Sequence, residues 1–104
     1  AVANEAMANG CALVASDAIG STLYLIKEGI NGFSFASESV EALTERVEWL
    51  FCHPEQMRLM QREACRTMQE VWSPAKAASA LMCLVDDLQH GRECSIINGP
   101  CSKA

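Results

Sequence analysis

Residues 4–21, NEAMANGCALVASDAIGS, carry the sequence signals that decide the fold of this chain. The first part is rich in alanine, methionine and glutamate, which favour a helix over residues 1–9, and Gly10 is typical of the residue that ends one. The apolar run at residues 11–16 is nearly continuous rather than alternating, as in a parallel strand buried on both faces. The stretch therefore predicts a helix, a buried strand and then a loop.

A second helix and a second strand follow this loop. We expect Ser21 to cap a short helix that continues through Glu28, with Leu23, Ile26 and Lys27 in its body. Gly29 would end that helix, and the Asn-Gly pair at residues 31–32 predicts a turn. Residues 33–36, FSFA, alternate between apolar and small residues and predict a strand. Because a helix separates the two strands, we expect them to pair in parallel.

The second half of the chain predicts three helices. Ser39 is a plausible N-cap for the first, and His53 followed by Pro54 ends it. The next helix extends to about Glu70, and a serine–proline pair at residues 73–74 introduces the last, which ends near His90. Apolar residues at helical spacing predict one inward face for each helix. These inward residues are Val40, Leu43, Val47, Leu50 and Phe51, then Met57, Met60, Ala64 and Met68, then Ala77, Ala78, Leu81, Leu84, Val85 and Leu88.

The predicted fold class is α/β, with short parallel strands, flanking helices and a helical C-terminal half. Two strands do not form a stable open sheet by themselves, so we expect the chain to be the C-terminal part of a larger Rossmann-like domain that is truncated at its N-terminus. Residues 1–91 would form this portion. The periodicity fades after Gly91, and Gly99-Pro100 indicates a flexible tail over residues 92–104.

Composition excludes several classes of function. The net charge is −5 and the eight basic residues do not cluster, which argues against a nucleic-acid surface. No uninterrupted apolar run approaches the roughly 20 residues that span a bilayer. The six cysteines form no CxxC pair, and His53 and His90 complete no ligand set, so we expect no zinc site. The cysteines are most simply reduced thiols, which places the protein in the cytoplasm.

Three polar residues are candidates for a binding site. Glu5 lies in the first turns of the first predicted helix, where a carboxylate stabilises the helix terminus. A carboxylate can instead accept two hydrogen bonds from a vicinal diol such as a ribose, while a neighbouring helix N-terminus holds a pyrophosphate. Ser16 and Asp17 lie at the end of the first predicted strand, where ligands bind in open parallel sheets, although a structural turn or cap is the simpler interpretation.

Other conspicuous residues have structural interpretations. Tyr24 could stack on a base, but a single aromatic residue on a short apolar helix is expected in the core. Trp49 and Trp72 lie beside apolar helical faces and predict core or interdomain packing. Asp86 and Asp87 predict a polar helix face. The sequence contains neither a Walker motif nor a GxGxxG phosphate loop.

The order of these motifs resembles that of the family 4 (group 1) glycosyltransferases with the two-domain GT-B fold. Four segments carry the resemblance: residues 5–35, EAMANGCALVASDAIGSTLYLIKEGINGFSF; residues 39–55, SVEALTERVEWLFCHPE; residues 57–68, MRLMQREACRTM; and residues 72–78, WSPAKAA. Within the first segment, an acid precedes an Ala-Met-Ala-x-Gly pattern, a small apolar strand ends in Ser-Asp, and paired glycines follow. The resemblance covers roughly residues 3 to 90.

The resemblance implies a role for Glu5. In such enzymes two glutamates eight positions apart bracket the donor site, and the second, which Glu5 matches, contacts the ribose of a nucleotide sugar. The first would lie four residues before Ala1. Ala6 would be a neighbour in this loop-to-helix region, and Ser16 and Asp17 would lie nearby. The chain departs from the family at Thr22, Leu23 and Tyr24, where members usually carry an acid or a Pro-Glu pair.

The resemblance also implies a reaction and partners. The parent protein would transfer a sugar from a nucleotide-sugar donor to an acceptor hydroxyl of a glycan or lipid-linked sugar, with retention of configuration and without a metal or further cofactor. It would be cytoplasmic, with peripheral association at the inner face of the membrane left open, and the isolated chain would be inactive without its N-terminal domain. A nucleotide-sugar epimerase of the same fold, or a truncated non-catalytic binding or packing module, remains an alternative.

Overall fold

The computed structural model describes residues 1–102 and has the predicted α/β architecture. Within these residues, two short strands alternate with two helices before three longer helices complete the chain. The elements are α1 (Val2–Ala8), β1 (Leu13–Ser16), α2 (Thr22–Leu25), β2 (Gly32–Phe35), α3 (Val40–Cys52), α4 (Pro54–Glu70) and α5 (Pro74–Gln89). No helix of the described residues is both long and apolar enough to cross a membrane.

The two strands pair in parallel, as the helical crossover between them predicts. Leu13 lies opposite Gly32 and Ser16 lies opposite Phe35, so both strands end at the same edge of the sheet. The first strand is shorter than predicted, because it begins at Leu13 rather than at residue 11.

The first helix ends as its sequence predicts. Gly10 has φ +76°, a left-handed conformation that is open to glycine and that ends a helix without steric cost. The amide of Cys11 donates to the carbonyl of Ala6 at 3.0 Å, which satisfies one carbonyl of the last turn. The chain then turns back and enters β1.

The second helix is shorter than predicted, and a buried asparagine, Asn31, lies in the segment that follows it. Helix α2 ends at Leu25 because Ile26 has an extended backbone, with φ −86° and ψ 125°, so Ile26 and Lys27 lie outside it. Asn31 organises the segment that follows. Its carboxamide oxygen accepts from the Lys27 amide at 2.8 Å, and its nitrogen donates to the Leu25 carbonyl at 2.9 Å.

Serine caps begin two of the three long helices. The Ser39 hydroxyl accepts a hydrogen bond from the Ala42 amide, and the Ser73 hydroxyl accepts one from the Lys76 amide, both at 3.2 Å. Such caps satisfy backbone amides that have no partner within the helix. On α4, Met60, Ala64 and Met68 are buried as predicted, and Met57 is half-buried.

The predicted apolar faces of α3 and α5 are only partly correct. Leu50 is the buried member of the α3 face, whereas Val40 and Phe51 are 70% and 76% exposed. On α5, Leu81 and Leu88 are exposed. Helical periodicity indicates which residues share a face, but it does not show whether another element covers that face.

The chain divides into two compact units, the first over residues 1–67 and the second from Met68 onward. The core of the first unit forms where β2, α3 and α4 contribute Phe33, Leu50 and Met60. The half-buried residues packed against this core are Ala12, Val14, Trp49 and Met57. Trp49 meets Phe33 edge to face, with ring centroids 5.2 Å apart, in keeping with the predicted packing role. This unit contains both strands, and it therefore determines the geometry of any site at the sheet.

In the second unit a carboxylate occupies the buried position on α5. Asp87 is only 5% exposed, which corrects the prediction of a polar surface at this residue. It accepts hydrogen bonds from the Arg92 Nε at 3.1 Å and from the Ser95 hydroxyl at 2.7 Å. These bonds attach the start of the predicted tail to α5. The flexibility of residues 92–102 stays a prediction, and residues 103–104 lie outside the described residues.

Candidate functional site

A cavity of about 470 Å³ lies at the carboxyl end of β1. Three parts of the first unit line it: the start of α1, strand β1 with the end of β2, and the loop before α2. The lining residues are Ala1, Val2, Ala3, Leu13, Val14, Ala15, Ser16, Ile19, Ser21 and Phe35. Most of these are apolar, and the lining contains no lysine or arginine from the described residues.

The position of this cavity follows from the chain topology. The short connection over residues 9–12 reverses the chain, so the first turn of α1 lies beside the end of β1 rather than its beginning. Because β1 and β2 are parallel, Ser16 and Phe35 end at the same edge. In open parallel sheets, ligands bind beyond the carboxyl ends of the strands. The cavity therefore occupies the edge at which the fold favours ligand binding.

Glu5 lies one helical turn from the lining of this cavity. It is three residues after Val2, and residues three apart share one face of a helix. Helical side chains tilt toward the helix N-terminus, so the Glu5 side chain leans toward the turn that lines the cavity. Glu5 is exposed, and within residues 1–102 its carboxylate has no hydrogen bond or ion pair. The carboxylate is therefore accessible to a ligand.

Ala6, the residue after Glu5, is engaged in the end of helix α1. It is half-buried, and its carbonyl accepts from the amides of Asn9 and Cys11 at 3.2 and 3.0 Å. Ala6 is not among the residues that line the cavity. Its contribution is to the helix end that directs the chain into β1.

Ser16 lines the cavity, but its polar atoms are engaged locally. Its hydroxyl accepts from the Ala18 amide at 3.2 Å, and its carbonyl accepts from the Thr22 hydroxyl at 2.9 Å. These bonds shape the loop between β1 and α2. The loop in turn places Ile19 and Ser21 at the cavity.

Asp17 joins the loops that follow the two strands. One carboxylate oxygen accepts from the Ser37 amide at 2.9 Å, and the Asp17 amide donates to the Phe35 carbonyl at 3.0 Å. Asp17 does not line the large cavity; it borders a separate depression of about 180 Å³ with Thr22 and Glu28. The geometry supports the simpler interpretation, in which this aspartate holds a turn.

The segment that departs from the family pattern, at the start of α2, has two different surfaces. Ser21 faces the cavity, and Thr22 is buried with its hydroxyl on the Ser16 carbonyl. Leu23 and Tyr24 are exposed, which corrects the expectation that Tyr24 belongs to the core. Helix α2 buries Thr22 and Leu25, which are three residues apart and share one face, so Leu23 and Tyr24 between them remain in solvent.

Phe35 is a lining residue that sequence reasoning missed. It ends β2 directly opposite Ser16, so the parallel pairing of the strands would have been enough to identify it. Ala1, Val2 and Ala3 carry no such signal, because small apolar residues at a helix start are common. Within residues 1–102, no group of three or more histidine, cysteine, aspartate or glutamate side chains is placed to hold a metal ion.

Comparison with known proteins agrees with this geometry. The family model described as Glycosyl transferases group 1 matches residues 1–67, which cover both strands, the cavity and Glu5. Neither the curated proteins nor the solved structures give a match. Since the family model covers more than half of the chain, the chain belongs to the group 1 glycosyltransferases.

Proposed function

We propose that this chain supplies the ribose-binding rim of a nucleotide-sugar site. The protein that contains it would transfer a sugar from the donor to an acceptor hydroxyl, with retention of configuration, within a GT-B fold. The observation that carries the proposal is the Glu5 carboxylate, which is exposed, has no partner within residues 1–102 and lies one turn from the cavity. Membership of the glycosyltransferase family supports the choice of ligand.

The chemistry of Glu5 suits a ribose. An ionised carboxylate is an acceptor with two oxygens, and the two hydroxyls of a vicinal diol can each donate to one of them. Hydrogen bonds to a charged group are stronger than neutral ones, and each is worth about 1.5–3 kcal/mol. Glu5 would therefore contribute to donor affinity by orienting the nucleoside rather than by taking part in bond cleavage.

The composition of the cavity limits what this chain does alone. Its lining is mainly apolar and carries no basic side chain from the described residues, so the diphosphate charge would be neutralised by groups outside it. We propose that the phosphate-binding groups lie outside this chain and that the acceptor site belongs to the N-terminal domain of the parent protein. The isolated chain would then be inactive.

Donor turnover in the parent glycosyltransferase tests this proposal. We expect Glu5→Gln to lower kcat/KM for the nucleotide sugar by about tenfold or more, because the neutral amide replaces a charged acceptor. Glu48→Gln is the matched control, since Glu48 is an exposed glutamate on α3 that does not line the cavity. Equal activity of the Glu5 variant and the control would overturn the role of Glu5.

The same assay separates the rival reaction classes. A glycosyltransferase consumes the donor only when the acceptor hydroxyl is present, apart from slow hydrolysis. An epimerase converts the nucleotide sugar to its epimer without any acceptor. Epimerised donor in the acceptor-free reaction would replace the proposed transfer reaction, while a protein that neither transfers nor epimerises would be a non-catalytic module.

A further inference from the structure

Cys94 and Cys101 approach each other in the segment that follows α5. The Cys94 thiol donates a hydrogen bond to the carbonyl oxygen of Cys101, with a sulfur–oxygen distance of 3.5 Å. The carbonyl oxygen is two bonds from its own Cα, so the Cys94 sulfur lies within roughly 6 Å of the Cys101 Cα. Both residues are free thiols and are half-buried. We propose that this pair is a redox modification site that closes to an intramolecular disulfide.

A turn holds Cys101 in position for this reaction. The Ser102 amide and hydroxyl both donate to the Gly99 carbonyl, at 3.2 and 2.7 Å. Pro100 and Cys101 are the two central residues of this turn, and Cys101 has φ +65°. A proline followed by a residue with positive φ is typical of a type II turn, in which the last central residue is usually glycine or asparagine. The turn returns the chain to Cys94.

The other end of the pair is held by α5. Ser95, the neighbour of Cys94, donates its amide and its hydroxyl to the buried Asp87 carboxylate, at 3.1 and 2.7 Å. The backbone on one side of Cys94 is therefore attached to the helix. Because hydrogen bonds hold both ends of residues 94–101, ring closure costs less conformational entropy than it would in an unfolded chain.

The chemistry is thiol–disulfide exchange with a small-molecule disulfide such as oxidised glutathione. The thiolate of one cysteine attacks that disulfide, forms a mixed disulfide and releases one glutathione thiolate. The thiolate of the second cysteine then attacks the protein sulfur of the mixed disulfide and releases the other glutathione. The protein loses two protons, which the glutathione thiolates take up, and two electrons, which reduce one oxidised glutathione to two reduced molecules.

Cys83 is another thiol that could form a disulfide with Cys94. Its sulfur lies 3.5 Å from the Ser95 hydroxyl oxygen, next along the chain from Cys94. However, Cys83 is fixed on α5, whereas Cys101 already contacts the Cys94 sulfur through its carbonyl. The geometry therefore favours closure between Cys94 and Cys101.

Peptide mapping of the whole chain tests the pairing directly. The chain is equilibrated with mixtures of reduced and oxidised glutathione, the remaining thiols are alkylated, and the protein is digested with trypsin. Cleavage after Arg92 and Lys103 gives the peptide ECSIINGPCSK, residues 93–103, which contains Cys94 and Cys101 and no other cysteine. We expect the mass of this peptide to be two hydrogen atoms lower than that of its reduced form, and we expect it to carry no alkyl groups.

Two variants and an unfolded control complete the experiment. Cys101→Ser should abolish the lighter peptide and leave glutathione on Cys94, whereas Cys83→Ser should leave ring closure unchanged. The closure equilibrium should be at least about tenfold more favourable in the folded chain than in urea, because the fold raises the effective concentration of the second thiol. Equal closure in both states, double alkylation of the peptide, or a Cys83–Cys94 linkage would overturn the proposal.

Discussion

Asn31 is a buried polar residue of the first unit that three side-chain hydrogen bonds hold in place. It is fully buried, and besides its bonds to Lys27 and Leu25 its amide nitrogen donates to the Thr67 hydroxyl at 3.1 Å. The Asn-Gly pair predicts a turn; Asn31 ends one, whereas Gly32 already begins β2, and a turn asparagine is usually solvated. Thr67 is 36 residues away, so only the tertiary structure reveals this use of Asn31.

Asn31→Asp should destabilise the chain by about 2 kcal/mol or more, because a carboxylate oxygen replaces the donor that faces the Leu25 carbonyl. Urea unfolding at neutral pH measures the change. Asn98→Asp is the control, since Asn98 is exposed. An Asn31 variant as stable as this control would show that the buried bonds contribute nothing.

The hydrogen bonds of Asp87 make the free energy of unfolding depend on pH. Hydrogen bonds from the Ser95 hydroxyl and amide, and then from Arg92, hold the pKa of Asp87 below its ordinary value of 3.8. The folded state therefore binds the Asp87 proton more weakly than the unfolded state does. The resulting stabilisation is fully present above the ordinary pKa and is lost as the pH falls through the lowered pKa.

Asp87→Asn should lower the urea midpoint at neutral pH and remove part of its decline in acid. Asp86→Asn is the control at the adjacent carboxylate, which is exposed and pairs with Arg92 and His90 at the surface. The measurement is the unfolding midpoint as a function of pH for the three proteins. A pH profile of Asp87→Asn identical to that of the unsubstituted chain would contradict this account.

At the scale of the elements, the pairing of the two strands leaves no room for a side chain at Gly32. Gly32 begins β2 opposite Leu13, and a Cβ atom added to Gly32 would lie within 2.4 Å of the Leu13 carbonyl oxygen. Its neighbour is backbone, which cannot move aside without breaking the strand pair. A glycine is needed at position 32 because it has no side chain, and not because of its conformational freedom.

Gly32→Ala should therefore cost about 3 kcal/mol or more by forcing the strands apart. Gly20→Ala is a matched control, because nothing lies within 4 Å of a Cβ at Gly20 and its φ is not positive. Thermal unfolding followed by circular dichroism compares the two variants. If both lose the same stability, the close approach does not limit this position.

Element order was predictable from sequence, whereas the exposure of individual side chains was predictable only in part. Proline and glycine signals, together with the caps at Ser39 and Ser73, define helix ends through local chemistry. The exposure of Phe51 and Leu88 depends on which elements lie nearby, and a periodic pattern contains no such information. The same limit explains why Asp87 was expected at the surface: its partners Arg92 and Ser95 follow the helix.

At the scale of the whole molecule, the family match and the first compact unit coincide. Both extend over residues 1–67, and both contain the strands, the cavity and Glu5. The second unit contributes the Cys94–Cys101 pair and the Asp87 network, neither of which lies in the matched region. The donor chemistry proposed for the protein therefore depends on the first unit.

The candidate site was predictable only at the level of its elements. A carboxylate on a helix followed by a buried parallel strand indicated Glu5 and the strand end at Ser16. The pattern could not show that Asp17 is committed to the Ser37 amide, because that contact joins residues 20 positions apart. Glu5 differs from Asp17 in that its carboxylate has no hydrogen-bond or ion-pair partner within the described residues.

The most direct test of the central claim is whether Glu5 binds the ribose hydroxyls. Calorimetry would compare the parent glycosyltransferase with its Glu5→Gln variant, using uridine, guanosine and adenosine diphosphates to find the base that binds. Both proteins are then measured with the 2′,3′-dideoxy form of that nucleotide, so that the protein change and the ligand change form a double-mutant-type cycle. The account predicts that Glu5→Gln weakens the ribonucleotide by about tenfold or more and leaves the dideoxy nucleotide unchanged. Equal loss for both nucleotides, or no loss for either, would contradict it.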